Sequence, residues 1–111
     1  MRIVQKTENL TRKQIYDMTT SPAVQKMTNA IGQILPVVGY VLYEDENKEG
    51  EIQNLLSILT ENEEAYATNS HTFIDDFLTC VNIAGDELHS IEVMQGKSKA
   101  GRPFIMCRWH D

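Results

Sequence analysis

The chain has 111 residues, a formal net charge of −6 and 41% hydrophobic residues, a size and composition typical of one globular domain with a hydrophobic core. Since it has no run of about 18 apolar residues and no apolar N-terminal stretch, we expect no membrane span, no signal peptide and a cytoplasmic location. In that reducing compartment Cys80 and Cys107 are expected to be small core residues rather than a disulfide.

The charges are distributed unevenly along the chain. Residues 1–30 and residues 93–111 each carry a net charge of +3, whereas residues 31–92 carry −12. A phosphate backbone responds to a local basic surface rather than to the total charge, so the two basic ends keep nucleic acid open as a ligand. The alternative is an ordinary solvated surface, and charge alone does not decide between the two.

The N-terminal region is predicted to be helical after a strand-like lead-in. Thr11 and Gln14 have the spacing of a capping box, which predicts a short helix that begins at the next residue. Ser21 followed by Pro22 repeats the signal, with a serine cap and a proline at the first helical position. The sequence therefore predicts two short helices within about residues 11–30.

A β-rich region follows and predicts three consecutive strands. Residues 34–44 form a long run of β-branched and aromatic residues, in which Gly39 predicts a bulge or a sharp bend. A polar turn leads to a second strand over residues 51–60, and a tight turn leads to a short third strand at Ala65–Thr68. The three strands are expected to form a meander.

The last part of the chain predicts a helix and a hairpin. Ser70 is a suitable helix cap, and apolar residues recur at helical spacing as far as Gly85. Two strands are predicted over residues 88–95 and 103–109, joined by the flexible basic loop Gly96–Arg102.

Three strands, a helix and a two-stranded hairpin are the element order of the oligonucleotide/oligosaccharide-binding (OB) fold. We therefore expect one mainly β domain over residues 1–111. It would contain a five-stranded Greek-key barrel over about residues 31–111, with the helix between its third and fourth strands, and two short N-terminal helices ahead of the barrel.

No arrangement of residues typical of catalysis or of metal binding is evident. The three histidines are scattered along the chain, and neither cysteine has a second ligand at metal-binding spacing. Asp75 and Asp76 are adjacent on the predicted helix, so their carboxylates diverge rather than share a site. We expect neither enzymatic activity nor a metal ion or other cofactor.

The predicted hairpin carries the candidate binding site, because its loop has three cations, two glycines and no acid. Cations that contact phosphates and rings on which bases stack are the two parts of a sequence-tolerant single-strand site. The loop between the last two strands is also one of two loops that OB-folds use for ligands. For the rings, packing in the core is the favoured alternative. The expected contacts with nucleic acid on the loop and the strand after it are Lys97, Lys99, Arg102, Phe104, Arg108 and Trp109.

Three tyrosines on the predicted strands are further candidates for nucleic-acid contacts. Tyr40 and Tyr43 are three positions apart, so they face opposite sides of an ideal strand, and at least one is expected to be exposed. Tyr66 is central on the short third strand and is a candidate platform for a base. A structural role in the barrel wall is the alternative for these tyrosines.

Three stretches of the chain resemble the small single-stranded DNA-binding proteins encoded by phages and mobile elements of Gram-positive bacteria. These stretches are Val38–Glu44, Ala65–Ile74 and Gly96–Phe104. The resemblance spans most of the chain from about Thr11 onward. It implies an OB barrel that coats single-stranded DNA during replication in the bacterial host cytoplasm. It also implies that the basic loop and the exposed strand aromatics form the contact.

Other functions remain open from the sequence. The main alternative is a phage-encoded protein-interaction or inhibitor module, which would use the thirteen acids of residues 31–92 as its contact surface. A small enzyme is a third alternative, although no site supports it. Whether RNA is bound as well as DNA, and whether the chain forms homo-oligomers, stay open.

Overall fold

The computed structural model describes residues 1–111 as a mainly β domain. The helices and strands in chain order are β1 (Arg2–Lys6), α1 (Arg12–Thr20), β2 (Gln25–Lys26), β3 (Ile34–Glu46), β4 (Ile52–Thr60), β5 (Ala65–Thr68), α2 (His71–Ala84), β6 (Ser90–Lys97) and β7 (Pro103–Trp109). Short 3₁₀ helices follow β2, at Met27–Ala30, and α2, at Gly85–Glu87. Neither α-helix has the length and hydropathy that a membrane span requires.

All seven strands form one curled sheet in the order β2-β5-β4-β3-β6-β7, with β1 added against β3. The long strand β3 organises this sheet, because β4 pairs along one of its edges and two strands share the other. On that second edge β6 pairs with Ile34–Pro36, and β1 pairs with Val41–Glu44. The partner changes where β3 bulges, between Val37 and Gly39.

The bulge depends on a close approach of the backbone at Gly39. A Cβ atom there would lie 2.6 Å from Thr7 Oγ1 and 2.7 Å from Leu10 Cδ2, too close for any other residue. Thr7 holds the chain in this position, because its hydroxyl accepts a 3.1 Å hydrogen bond from Tyr40 N and its own N–H donates to Tyr40 O at 3.1 Å. The glycine bulge predicted from the sequence is confirmed.

Both faces of β3 are buried, each in a different core. Tyr40 lies with Phe73 and Phe77 in the main core of 16 residues between the sheet and α2, and its ring meets Phe77 edge-on at 5.2 Å. Tyr43 lies in a second core of five residues, which includes Met18 of α1. Both tyrosines are 5% exposed. The expectation that at least one is exposed is wrong, because α1 covers the outer face of the sheet.

The prediction of two N-terminal helices is half correct. α1 is capped as predicted: Gln14 N donates to Thr11 Oγ1 at 3.1 Å, and Thr11 N donates to Gln14 Oε1 at 2.8 Å. The second α-helix is absent, since β2 pairs in parallel with β5 and a 3₁₀ turn follows that buries Met27 and Ala30 in the main core. Pairing with the edge of β5 overrides the local helix signal, which has too few residues to sustain a helix.

The curled sheet is compatible with a barrel, but its hydrogen bonds do not close one. β5 and β7 are not paired with each other. The edge of β5 that is not paired with β4 pairs with β2 instead. On β7, the N–H of Cys107 donates to Asp76 Oδ2 of α2 at 3.2 Å. The predicted mainly β domain is confirmed, with α2 between β5 and β6 and the hairpin β6–β7 at the end of the chain.

Cys80 of α2 and Cys107 of β7 are free thiols, and both are buried in the main core, as expected from the sequence. Burial raises the pKa of both thiols above its ordinary value. They are thus held in the protonated, unreactive form near neutral pH.

One buried polar atom is left without a partner. The Ser57 side chain on β4 is fully buried between Val41 and Ala67 of the neighbouring strands, and its Oγ makes no hydrogen bond. We expect Ser57→Ala to raise the free energy of unfolding by about 1 kcal/mol, because it removes a desolvated, unpaired hydroxyl. Denaturant unfolding measures this change.

The matched control is Thr60→Val on the same strand. The Thr60 hydroxyl is also buried, but it donates to Glu64 O at 3.0 Å. This variant should therefore lose about 1 kcal/mol, since a satisfied hydrogen bond is removed. A Ser57→Ala protein that is less stable than the wild type would contradict the assignment of Ser57 as an unsatisfied group.

Candidate nucleic-acid interface

The tip of the β6–β7 hairpin is an ordered turn. Ser98 N donates to Arg102 O at 2.9 Å, Gly101 N donates to Ser98 O at 2.9 Å, and Arg102 N donates to Ser98 Oγ at 3.2 Å. Gly101 adopts a φ of 80°, which a side chain would strain. The turn is shorter than predicted, because Gly96 and Lys97 belong to β6.

The hairpin tip, which consists of the turn and the end of β6, presents three cations to solvent. Lys97, Lys99 and Arg102 are all exposed, and none of them belongs to an ion pair. The ion pairs of the protein instead involve the N-terminal amine, Arg2, Lys6 and Lys13. The three turn cations are therefore available for an external anion, as the sequence predicts for a phosphate contact.

A groove runs along the unpaired seam between β5 and the β6–β7 hairpin. It has two parts, of about 280 Å³ and about 330 Å³, which share Thr28, Thr68 and Asn69 as lining residues. We call it the seam groove, and define it by the polar and aromatic side chains that line it: Lys26, Thr28, Thr68, Asn69, Gln95 and Phe104. Residues of the 3₁₀ turn after β2 line both parts, and the hairpin lines the part of about 330 Å³.

The lining of the seam groove contains no acidic residue, although the protein has 16 acids and 10 basic residues. Two other clefts of the protein do have acidic residues in their linings. Asp17, Glu63 and Glu64 line the cleft beside α1, and Glu8 and Asp86 line the cleft at the β3 bulge. The seam groove thus differs from both of these clefts in having no carboxylate in its lining.

Phe104 is half-buried and stands on the face of β7 opposite to the buried Ile105 and Cys107. It lies at the wall of the seam groove and outside both hydrophobic cores. Core packing, the alternative that the sequence favours for this ring, is not what the structure has. Pro103, which follows Arg102 in the chain and pairs with Lys97, lines the same part of the groove as Phe104, so the hairpin tip adjoins the groove.

Arg108 and Trp109 lie at the other end of β7. With a rise of about 3.3 Å per residue, Arg108 is on the order of 20 Å from Arg102 along the strand, and it faces Glu92 across β6. Trp109 is 41% exposed and lies five positions beyond Phe104, so its ring is directed to the opposite face. The fold does not bring these two predicted contacts to the seam groove.

The three predicted tyrosine contacts are buried. Tyr40 accepts a 2.7 Å hydrogen bond at its hydroxyl from Gln5 Nε2, and Tyr66, which is 7% exposed, donates to Glu64 Oε2 at 3.0 Å. Burial raises the pKa of Tyr66, with the Glu64 carboxylate adding to it, and burial raises the pKa of Tyr43. These rings hold the core together and cannot stack a base without unpacking, so their prediction as contacts is corrected.

Sequence reasoning missed the polar wall of the seam groove. Thr28 lies in a turn that was predicted as helix. In the sequence, Thr68 and Asn69 indicated only the end of a strand and the beginning of a helix. Asn69 Nδ2 donates to Gln53 Oε1 at 3.2 Å, and its amide oxygen remains as a hydrogen-bond acceptor. The only local signal was the cluster of polar residues after β5, a common feature of loops.

The seam groove is lined by one cation, by hydroxyl and amide groups and by one aromatic ring. No group of three His, Cys, Asp or Glu side chains in the protein is arranged to hold a metal ion. Comparison of the chain with protein-family models, with curated proteins and with solved structures found no match. What the groove binds is therefore inferred from its own geometry and charge.

The base of the hairpin is fixed by the carboxylate of Asp111. It accepts hydrogen bonds from His89 N at 2.8 Å, from Ser90 N at 2.6 Å and from Ser90 Oγ at 2.8 Å. Hydrogen bonding from the Trp109 side chain and from these groups holds the pKa of Asp111 well below its ordinary value. The start of β6 and the end of the chain are thereby joined beyond the last ladder pair.

We expect Asp111→Ala to lower the Tm at pH 7. A carboxyl whose folded pKa is depressed contributes stability above its unfolded pKa of about 4, and loses it as the pH falls toward the folded pKa. The difference in Tm between wild type and variant should therefore shrink from about pH 6 to about pH 3. Thermal unfolding over this pH series measures it, and a difference that stays constant would contradict the role of the charged carboxylate.

Proposed function

We propose that this protein binds single-stranded nucleic acid, with DNA as the primary ligand, along the seam groove and the hairpin tip. The observation that carries the proposal is the separation of charge. In a protein of net charge −6, the seam groove has no acid in its lining, and the neighbouring hairpin tip carries three exposed cations without ion-pair partners. A polyanion is attracted to such a local surface whatever the total charge.

The side chains of the groove and the hairpin tip match the chemical groups of a nucleic-acid strand. Lys97, Lys99 and Arg102 suit backbone phosphates, and the Phe104 ring suits a base. The hydroxyl and amide groups of the wall donate and accept hydrogen bonds at base edges and sugars without requiring one sequence. Because a base reaches a ring at a groove wall only when it is unpaired, the proposal is for a single strand.

No helix is free to enter a duplex groove. α2 buries Phe73 and Phe77 against the sheet, and α1 buries Met18 against its other face. Reading the major groove requires a helix or a ribbon that projects from the domain. Neither helix is therefore available as a recognition helix, and the β6–β7 hairpin, the one ribbon with a basic tip, is proposed to contact a single strand through the Phe104 ring.

We further propose that the domain is an OB-type barrel opened at one seam. The order β5-β4-β3-β6-β7, with α2 between β5 and β6, supports this classification. The β3–β4 turn, which corresponds to the second ligand loop of an OB-fold, is rich in acids, and α1 covers the outer face of β4. The proposed strand path therefore uses the hairpin and the seam. The resemblance to phage and mobile-element proteins supports a role of this activity in DNA replication.

A second candidate is a protein-interaction module, which the cleft beside α1 favours. Its floor contains Met18 and Leu59, and its rim carries Asp17, Glu63 and Glu64, in a volume of about 300 Å³. An apolar floor with an acidic rim suits a basic segment of a partner protein. The binding experiments below separate this candidate from the first.

The protein is expected to bind labelled oligodeoxythymidine with an affinity that falls as salt rises. Each neutralised phosphate contributes about 0.7 to the slope of log affinity against log salt for a single strand. Fluorescence anisotropy of the labelled strand is the measurement, because Trp109 lies too far from the groove to report on it. Binding that is independent of salt, or that is tighter for duplex, would favour the interaction module instead.

Replacing Lys97, Lys99 and Arg102 together by Ala should weaken single-strand binding by about tenfold to a thousandfold at moderate salt and lower the salt slope by about 2. The Tm should hardly change, because exposed cations contribute only a few tenths of a kcal/mol to stability. The control removes two exposed, unpaired cations elsewhere, Arg12 and Lys48. Equal affinities of the triple variant and the wild type would show that the tip is only a turn.

A further inference from the structure

Gly96 of β6 lies directly opposite Phe104 of β7, and the phenyl ring lies on its backbone. A Cβ atom at position 96 would be 2.8 Å from Phe104 Cζ, 3.1 Å from Cε2 and 3.3 Å from Cε1. Real Cβ contacts do not become as short as the first of these distances. The outer edge of the ring therefore occupies the place of a side chain at position 96.

The backbone at Gly96 does not itself require glycine. The glycines with positive φ are Gly32, Gly50, Gly85 and Gly101, and Gly96 is not among them. Within a strand interior glycine lacks a side chain to pack and weakens the strand, so an ordinary residue would be expected here. The Phe104 ring supplies the three atoms nearest to a Cβ at this position, so a side chain here would have to displace the ring.

The covered glycine gives the ring a fixed position at the groove. One side of the ring rests on β6, and the half-buried ring also forms part of the wall of the seam groove, across from Thr28 and Asn69. The neighbouring strand limits the movement of a ring that is seated on it, so less ordering entropy is lost when a base stacks on the ring.

We propose that Gly96 is a positioning residue for Phe104, and that the seated ring is a stacking platform for one unpaired nucleobase. This inference rests on the proposed function. Any of the four bases fits such a platform, because the ring offers only its π-face. Lys97 follows Gly96 on β6 and pairs with Pro103, so its side chain leaves the opposite face of the hairpin, and the platform itself contributes the contact with the base alone.

The test is a double-mutant cycle of Gly96→Ala and Phe104→Leu, read out as the Kd for labelled oligodeoxythymidine. Phe104→Leu should weaken binding by about 5-fold to 150-fold, which corresponds to the stacking of one base. Gly96→Ala should weaken binding by several-fold, because the methyl group displaces the ring. In the Phe104→Leu background the same Gly96→Ala change should alter the Kd less than twofold, since no ring remains to be displaced.

A spectroscopic measurement separates positioning from a loss of stability. A protein with Phe104→Trp and Trp109→Phe carries its one tryptophan at the platform, and oligodeoxythymidine should quench its emission. Adding Gly96→Ala should reduce that quenching at saturating oligonucleotide. The control is Gly50→Ala in the β3–β4 turn, where φ is 78° and no atom lies near the added methyl group. It should lower the Tm and leave the Kd unchanged.

The outcomes distinguish this inference from the proposed function. If the wild-type protein does not bind the oligonucleotide, the proposed function fails and the platform fails with it. If the wild type binds and the triple variant of the tip is weakened, but the effects of Gly96→Ala and Phe104→Leu are independent or Gly96→Ala binds like the wild type, then only the role of Gly96 is overturned.

Discussion

Strand β3 is paired along both edges and buried on both faces, and the other elements are placed by it. β4 follows one edge, while β6 and then β1 follow the other, with the change of partner at the Gly39 bulge. The main core covers one face, and α1 covers the other with a second core. A shift of register by one residue would exchange the contents of the two cores, so the pairing of β3 is strongly specified.

The seam groove follows from how the outer edges of the curled sheet are protected. An edge strand exposes N–H and C=O groups that invite pairing, and folded proteins cover them. Here β2 pairs with β5, and Asp76 of α2 accepts the N–H of Cys107 on β7. The two edges therefore do not meet, and a cleft without carboxylates stays open beside the basic hairpin tip. The same arrangement that protects the sheet creates the surface proposed to bind nucleic acid.

The candidate site was predictable where its members are close in sequence and share a turn. Lys97, Lys99 and Arg102 stand together because they lie within six residues of one hairpin. Arg108 and Trp109 are also near in sequence, but an extended strand separates residues by about 3.3 Å per position and alternates their faces, so both are far from the tip. That strand argument was available from the sequence, whereas the polar wall across the seam comes from distant segments and had only the polar cluster after β5 as a local signal.

The sequence by itself determined the elements that depend on local chemistry. The capping box of α1, the bulge at Gly39, strands β3 to β7 and the extent of α2 follow from caps, from periodicity and from glycine, all of which act within a few residues. Only the tertiary structure decided which surfaces were covered. It placed residues 25–30 against β5 instead of in a helix and buried Tyr43 under α1. It also brought Phe104 onto Gly96, because packing between distant segments outweighs weak local propensities.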